Sequence, residues 1–153
     1  MMWNGSDFMG IQSIVTNPRS IWTPDLSLIN SHNLYSLTRD NRFPIIVKSN
    51  GQILFTPAGT VSAQCELDIT YFPFDQQLCK LRFESWVYDI EMLKLIGVNF
   101  TLHPQHFVSN PQWTVLETFT STGNAVYEDF IFSKVELYLL LERKSTFYIL
   151  YCV

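Results

Sequence analysis

Alternation of apolar and polar residues is the sequence feature that most limits how this chain can fold. In residues 66–71, Leu67, Ile69 and Tyr71 fall on one face of an extended strand, and the residues between them are polar. Residues 79–84 alternate in the same way. This period of two predicts half-buried β-strands in both segments.

Further strands are predicted where similar patterns occur between turn-forming residues. These strands span residues 44–48, 52–55, 98–102, 113–120 and 131–142. The turn-forming sequences, rich in Gly, Pro, Asn and Ser, lie at residues 50–51, 57–59, 109–111 and 122–124. Residues 90–96 lack a clear helix cap and are predicted as strand or loop. Many short strands separated by turns predict an all-β fold, an antiparallel sandwich or barrel.

Length and composition predict one folded domain and exclude one class of partner. The chain has 153 residues, of which 47% are hydrophobic and 16% charged, far from the composition of disordered chains. The net charge is −4 and the basic residues are scattered. Because binding to phosphates requires a basic face, nucleic acid is not expected as a partner.

Several features are typical of the secretory route, although no targeting segment can be recognised. Two N-glycosylation sequons occur, at Asn4 and at Asn99. Residues 1–7 lack the positive flank and apolar run of a signal peptide. The apolar runs at 137–141 and 147–153 are shorter than the ~18 residues that span a bilayer. We therefore expect this chain to be part of a longer protein.

The cysteines allow two interpretations. Cys65 and Cys79 enclose 13 residues, and a disulfide between them would contribute ~3 kcal/mol in the chain-entropy model. Two buried free thiols fit the spacing equally well. No metal site or cofactor is predicted, because a Cys-x-x-Cys motif is missing and a proline between His103 and His106 opposes a helix that would align them. No arrangement of Ser, His and acidic residues suggests an enzyme.

The loop between these cysteines carries the motif of a known family. It contains Phe72-Pro73-Phe74-Asp75 and, with its 13 residues, resembles the signature loop of the Cys-loop receptors, the pentameric ligand-gated ion channels. Residues 21–25 are similar to the family's Trp-x-Pro-Asp segment. Residues 79–88 are similar to the nicotinic acetylcholine receptor strand that leads to a binding-site tryptophan.

This resemblance implies a fold, a disulfide and a division of the chain. The family's extracellular domain is a twisted antiparallel β-sandwich in which Cys65 and Cys79 would form the disulfide. Residues 1–144 would correspond to this ligand-binding domain without its first strands, and residues 145–153 to the start of a pre-membrane or first transmembrane segment. The implied location is the extracellular face of the plasma membrane. The implied partners are the other subunits of a homo- or heteropentamer, and the membrane through segments outside this chain.

The resemblance also implies a ligand site between neighbouring subunits for a small neurotransmitter-like molecule, most simply an amine. In such sites aromatic faces attract the positive charge of the ligand. Six positions match: Trp86, Tyr88, Tyr127 and Ile29 on the principal face, and Leu54 and Thr56 on the complementary face. Ile29 stands where nicotinic subunits usually carry tyrosine. Taken alone, Trp86 also fits a core tryptophan of a sandwich, and the motif around it favours the binding role.

A last implication concerns channel gating. In the family, the loop that carries Phe72-Pro73-Phe74-Asp75 pushes on the membrane helices, and a basic residue before the first helix joins the coupling network. Arg143 lies in that region; a solvated basic residue that ends a strand is the alternative. The chain is interpreted as part of a neurotransmitter-gated channel subunit. The alternatives are a secreted protein similar to the acetylcholine-binding proteins and a non-binding accessory or truncated subunit.

Overall fold

Antiparallel β-strands make up most of the computed structural model, which describes residues 2–32, 35–37, 43–100 and 109–151. The strands are β1 (Ser13–Thr16), β2 (Leu26–Leu28), β3 (Tyr35–Ser36), β4 (Ile45–Lys48), β5 (Ile53–Phe55), β6 (Gln76–Ser85), β7 (Trp113–Tyr127) and β8 (Phe130–Arg143). Two short 3₁₀ helices, Gly5–Phe8 and Pro18–Ser20, flank β1, and the helix α1 spans Thr146–Tyr151. No helix in the described ranges is long and apolar enough to cross a membrane.

The strands form two sheets. In the three-stranded sheet, β4 lies between β1 and β5. The five-stranded sheet has the order β3-β2-β6-β8-β7. Its longest pairing joins β7 and β8, from Trp113 opposite Arg143 to Tyr127 opposite Phe130. The predicted all-β antiparallel fold is confirmed.

Both sheets contribute apolar side chains to the core. Leu28 of β2 and Ile45 and Val47 of β4 are each at most 2% exposed. In β4 the alternation is direct, since Ile45 and Val47 are buried and Lys48 is exposed. Such alternation is expected for a sheet with one covered face.

The two faces of the β6–β8 pair differ in character. Leu81 lies opposite Leu137 on one face, and Arg82 lies opposite Glu136 on the other. Glu136 is buried and forms an ion pair with Lys134 at 3.2 Å. Burial is the largest single effect on the pKa of Glu136 and raises it, but the hydrogen bonds from Lys134 and Tyr138 and the charges of Lys134 and Lys80 lower it, so the net shift is downward. The charged face therefore carries paired rather than isolated ions.

Most predicted strands are confirmed, with small changes of boundary. The predictions at 44–48, 52–55, 79–84, 113–120 and 131–142 correspond to β4, β5, β6, β7 and β8. Residues 90–96 form no strand, in agreement with the loop that was one of the two predictions.

The predicted strand at residues 66–71 is wrong. Asp68 Oδ1 accepts hydrogen bonds from the backbone nitrogen and the hydroxyl of Thr70, at 3.0 and 2.6 Å. The side-chain amide of Gln77 donates to the carbonyl of Asp68 at 2.7 Å, and Asp68 N donates to Gln77 Oε1 at 3.0 Å. These local side-chain bonds give the backbone an alternative to a sheet ladder. The apolar residues of the segment are exposed as a result; Ile69 is 65% exposed.

The predicted turn at residues 122–124 is also wrong, because these residues lie inside β7. Gly123 pairs with Lys134 of β8. The hairpin instead turns at Glu128 and Asp129, where Glu128 has a φ of 53°. An isolated glycine therefore misleads here, since glycine also occurs within strands.

The predicted strand at residues 98–102 is only partly described. Residues 98–100 form no strand, but Thr120 and Thr118 hydroxyls donate to the carbonyls of Val98 and Phe100, both at 3.1 Å. Residues 101–108, which include His103 and His106, lie outside the described ranges.

The cysteine loop closes as the resemblance implied. Cys65 and Cys79 form a disulfide with a Cα–Cα distance of 5.2 Å. Within the loop, the peptide bond between Phe72 and Pro73 is cis. The interpretation of the two cysteines as free thiols is thereby excluded.

Candidate functional site

The turn after β6 carries Trp86 and is hydrogen-bonded to Asp25. The Asp25 carboxylate accepts hydrogen bonds from the backbone nitrogens of Trp86 and Val87, at 3.0 and 3.1 Å, and from the Ser85 hydroxyl. The same hydroxyl accepts from Tyr88 N at 2.8 Å. A carboxylate that binds successive N–H groups holds a turn firmly. Asp25, from the Trp-x-Pro-Asp segment, thus holds the backbone of the turn that carries Trp86.

A cavity of about 330 Å³ lies beside this turn. It is lined by Ile29, Glu84, Ser85, Trp86, Tyr127 and Phe132. The structure therefore brings together three predicted binding residues: Ile29, which follows β2, Trp86, and Tyr127 from the tip of the β7–β8 hairpin. Trp86 and Tyr127 remain 56% and 46% exposed, so the cavity opens to solvent. An open cavity of this size, with three aromatic walls, can admit a small organic cation.

Two residues that line the cavity, Glu84 and Tyr127, belong to an ionic network with Arg82. Glu84 is 1% exposed, forms an ion pair with Arg82 Nε, and accepts a hydrogen bond from the Tyr127 hydroxyl at 3.0 Å. Arg82 Nη2 donates to the same hydroxyl at 2.8 Å. Burial, followed by the hydrogen bond to Glu84, raises the pKa of Tyr127. The network therefore ties the neutral tyrosine of the hairpin tip to β6.

The aromatic wall extends to a residue that was not predicted. Phe132 of β8 lies at a ring-centroid distance of 5.9 Å from Tyr127, with an angle of 65° between the rings. This edge-to-face arrangement is favourable for aromatic pairs. Glu84 is likewise unpredicted, although it lies two residues before Trp86, within the segment 79–88 whose resemblance to the family identified Trp86.

Three of the other predicted residues do not line this cavity. The Tyr88 hydroxyl accepts a hydrogen bond from Trp22 Nε1 at 3.1 Å, and the two rings pack edge to face at 5.5 Å. Leu54 of β5 and Thr56 lie with the three-stranded sheet, and both are exposed. These two residues therefore contribute nothing to the cavity beside Trp86 within one chain.

At the opposite end of β8, Arg143 forms a buried ion pair with Asp75. Its Nε and Nη2 donate to the two oxygens of Asp75 at 2.7 and 3.0 Å. The two side chains are only 9% and 2% exposed, so the interpretation of Arg143 as a solvated residue is wrong. The hydrogen bond from Arg143 is the largest effect that lowers the pKa of Asp75, to about 2.

Aromatic rings surround this arginine. Its guanidinium carbon lies 4.2 Å from the centroid of Trp113, 5.1 Å from that of Phe72 and 5.3 Å from that of Tyr148 in α1. These distances are typical of cation–π interactions. Arg143 therefore joins the cysteine loop, the five-stranded sheet and α1 at one point.

No group of three or more His, Cys, Asp or Glu side chains in the described ranges is placed to hold a metal ion. The clusters at the two ends of β8 each consist of an arginine–carboxylate ion pair beside aromatic rings.

Comparison with known sequences identifies the class of protein that carries such sites. The model of the neurotransmitter-gated ion-channel ligand-binding domain matches residues 1–145, so the chain belongs to that family. The family is one of ligand-gated ion channels, which are not enzymes.

The individual relatives are subunits of nicotinic receptors. The chain is 33% identical to neuronal acetylcholine receptor subunit beta-3 of Homo sapiens and 31% identical to subunit non-alpha-2 of Carassius auratus. It is 28% identical to subunit alpha-5 of Homo sapiens. These matches cover 100% of this chain but only 32–33% of the relatives. The chain thus spans about a third of the length of the curated relatives it matches.

Proposed function

We propose that this chain provides the extracellular ligand-binding part of a neurotransmitter-gated channel subunit, and that its cavity at Trp86 takes a small amine. The observation that carries the proposal is the grouping of Trp86, Tyr127 and Phe132 around one open cavity. The electron-rich faces of aromatic rings attract a cation by about 0.5–2 kcal/mol each, depending on solvent exclusion.

The complementary side of the site is proposed to come from a neighbouring subunit. Leu54 and Thr56 are exposed on the other sheet of the same chain. In a ring of subunits, each chain would offer Trp86 to one neighbour, and Leu54 and Thr56 to the other. The partners are accordingly other subunits of a homo- or heteropentamer, at the extracellular face of the plasma membrane.

Coupling to the channel is proposed to run through β8. This strand carries Phe132 beside the cavity and Arg143 at the cysteine loop. Because Arg143 also packs against Tyr148 of α1, a shift of β8 would move the segment after residue 144 as well. In this proposal residues 1–144 are the ligand-binding domain, and residues 145–153 begin the segment that leads into the membrane.

The two sequons are proposed to carry glycans. Asn4 and Asn99 are both exposed. Asn4 Oδ1 accepts from the backbone nitrogen and hydroxyl of Ser6, at 3.3 and 2.8 Å, while its Nδ2 makes no hydrogen bond among the described residues. A glycan on Nδ2 would therefore break no hydrogen bond of this turn.

The binding proposal is tested by calorimetric titration of the full chain with 2-phenylethylamine. Replacing the tryptophan wall, Trp86→Leu, is expected to weaken binding about tenfold. Phe8→Leu is a matched control, since Phe8 is 55% exposed and does not line the cavity. Equal affinity of the wild-type chain and the Trp86→Leu variant would contradict the proposed site.

A second candidate function is that of a non-binding accessory subunit, which Ile29 favours. Its aliphatic side chain forms one wall of the cavity and offers no cation–π attraction. A chain that enters rings with other subunits, as measured by sedimentation, but binds no amine would support this alternative. The buried Asp75–Arg143 pair beside α1 favours a channel subunit over a secreted binding protein.

A further inference from the structure

A second cavity, of about 430 Å³, lies beside the disulfide. Cys65 borders it, together with Glu66, Leu78, Lys80 and three other described residues, Asn30, Gln64 and Tyr138. Leu78 is 53% exposed and the Lys80 side chain 50%, so the cavity opens to solvent. None of the described residues in its wall also lines the cavity beside Trp86.

The two bonded cysteines occupy different positions relative to this cavity. Cys79 lies inside β6 and is paired with Leu139 of β8. Successive side chains of a strand point to opposite faces. Because Leu78 and Lys80 line the cavity, Cys79 between them faces the other way. Cys65 belongs to no strand and borders the cavity itself, so a molecule that enters meets the sulfur of Cys65 first.

The cavity wall carries one charge of each sign. Lys80 Nζ lies 3.6 Å from a carboxylate oxygen of Glu136 and stays half exposed. Glu66 is the other charged side chain among the described lining residues. In thiol–disulfide exchange the attacking species is a thiolate anion. Lys80 therefore favours the approach of an attacking thiolate, and Glu66 opposes it.

We propose that Cys65 is a modification site at which a low-molecular-weight thiol attacks the disulfide through this cavity. The thiolate sulfur bonds to Cys65 Sγ, and the bond between Cys65 and Cys79 breaks. The electron pair leaves with Cys79 Sγ, which takes a proton from water. The incoming thiol is thereby oxidised to a mixed disulfide on Cys65, and Cys79 is reduced to a thiol. This site goes beyond the proposed function and uses none of the residues described at the amine cavity.

The test determines which cysteine receives the thiol. The full chain carries Cys152→Ser, so that its third cysteine cannot exchange. The folded, oxidised chain is treated with reduced glutathione at neutral pH and quenched early with iodoacetamide. Peptide mass spectrometry then locates both groups. We expect glutathione on Cys65 with alkylated Cys79 at least about tenfold more often than the reverse, because access decides which sulfur is attacked.

The same chain unfolded in urea is the control for the role of the fold. There both sulfurs are accessible, and the two mixed disulfides should form within about twofold of each other. Equal labelling of the two cysteines in the folded chain would overturn the proposal. A folded chain that does not react while the unfolded chain does would overturn it as well.

Charge variants test the route through the cavity. Lys80→Gln should slow the appearance of the Cys79 thiol about twofold to fourfold, and Glu66→Gln should speed it by a similar factor. Lys48→Gln is the matched control, because Lys48 is an exposed lysine of β4 and is not among the residues that line the cavity. Rates equal to wild type in both folded cavity variants would show that attack takes another route.

Thermal unfolding identifies a variant that fails to fold, and the regiochemistry of the chain with both charges intact is decisive without either variant. The amine titration is a separate measurement. A failure of thiol exchange at Cys65 therefore leaves the proposed amine site standing, and a failure of amine binding leaves the thiol site standing.

Discussion

At the scale of single residues, Asp25 holds the turn that presents Trp86 to the cavity. Its carboxylate serves two backbone N–H groups and one hydroxyl. Neighbouring Ser85 reinforces the turn by accepting from Val87 N and Tyr88 N. The position of the aromatic wall thus depends on a residue that does not itself line the cavity.

Asp25→Asn is expected to weaken binding of 2-phenylethylamine about tenfold, with a loss of roughly 1–3 kcal/mol in stability. An amide has one acceptor oxygen, so it cannot serve all three donors at once. Calorimetric titration and urea unfolding measure the two effects. Asp7→Asn is the control, because Asp7 is exposed in the first 3₁₀ helix. Unchanged affinity in a folded Asp25→Asn chain would show that Asp25 does not position Trp86.

A second residue-scale prediction concerns Asn4. When the full chain is secreted behind an added signal peptide, Asn4 Nδ2 should receive an oligosaccharide from a lipid pyrophosphate donor. The new bond joins nitrogen to the anomeric carbon, while the pyrophosphate leaves and one amide proton is lost. Asn4→Gln should remove one step of the gel shift that glycosidase treatment reverses.

Asn17→Gln is the matched control for Asn4. Asn17 also caps a 3₁₀ helix, with its Oδ1 accepting from Arg19 N at 2.9 Å, but it lies outside any sequon. Its substitution should leave the gel shift intact. A chain that enters the secretory route with no glycan at Asn4 would contradict the prediction, and any remaining step is assigned to Asn99.

The sequence predicted some site residues and missed others for physical reasons. Trp86, Ile29 and Tyr127 were predicted from the resemblance to the family, and all three line the cavity. Glu84 was missed because a charged residue in an alternating strand is expected to face solvent. Here the hairpin tip covers it through Tyr127, a contact between positions 43 residues apart. A contact between residues so far apart in the sequence leaves no trace in the hydrophobic pattern around Glu84.

At the scale of the elements, the segment around Gly97 packs tightly on the β7–β8 ladder. A Cβ at Gly97 would lie 2.4 Å from Thr120 Cγ2 and 3.1 Å from Val135 Cγ1. Gly97 N also donates a hydrogen bond to the Thr122 hydroxyl oxygen at 2.9 Å. This close approach explains why glycine is needed there.

Gly97→Ala is expected to lower the free energy of unfolding by about 1–3 kcal/mol, as overpacking does. Gly123→Ala is the control within the same sheet, because its Cβ would meet only the flexible end of Lys134 at 3.4 Å. Urea unfolding measures both variants. A Gly97→Ala chain as stable as the Gly123→Ala chain would contradict the tight packing.

The junction between the cysteine loop and β8 gives a prediction of pH dependence. The pKa of Asp75 is lowered from 3.8 to about 2, chiefly by the hydrogen bond from Arg143. A lowered folded-state pKa stabilises the fold above the unfolded-state pKa, and this stabilisation is lost as pH falls from about 4 to about 2. The stability difference between wild type and Asp75→Asn should therefore be constant above pH ~5 and shrink below pH ~4.

Unfolding in urea at a series of pH values measures this difference. Comparing two chains cancels the titration of carboxylates that both share. A difference that stays constant down to pH ~2 would contradict the assignment, since it would mean that Asp75 gains no protonation-dependent stabilisation from Arg143.

Apolar alternation predicted the strand correctly at β4 but not at residues 66–71. In β4 the apolar alternation coincides with burial on one face, so the pattern predicts the structure there. At residues 66–71 the same alternation gives no strand, because Asp68 Oδ1 accepts a hydrogen bond from Thr70 N and Gln77 Nε2 donates to the Asp68 carbonyl. The partner Gln77 lies outside the segment, so the segment's own pattern could not reveal the turn.

At the scale of the whole molecule, two long strands connect two charged sites. β6 reaches Glu84 at the cavity, and its first residue follows Asp75 at the cysteine loop. β8 runs antiparallel to it, from Phe132 to Arg143. The same pair of strands thus contacts the proposed amine site and the proposed coupling site, which suits a domain that transmits binding to a channel.

The most direct test of the amine site is a structure of the full chain with N,N-dimethyl-2-phenylethylamine bound. The ammonium nitrogen is predicted to lie within about 6 Å of the centroid of the Trp86 ring. A ligand ordered elsewhere on the chain, with the cavity beside Trp86 unoccupied, would contradict the central claim.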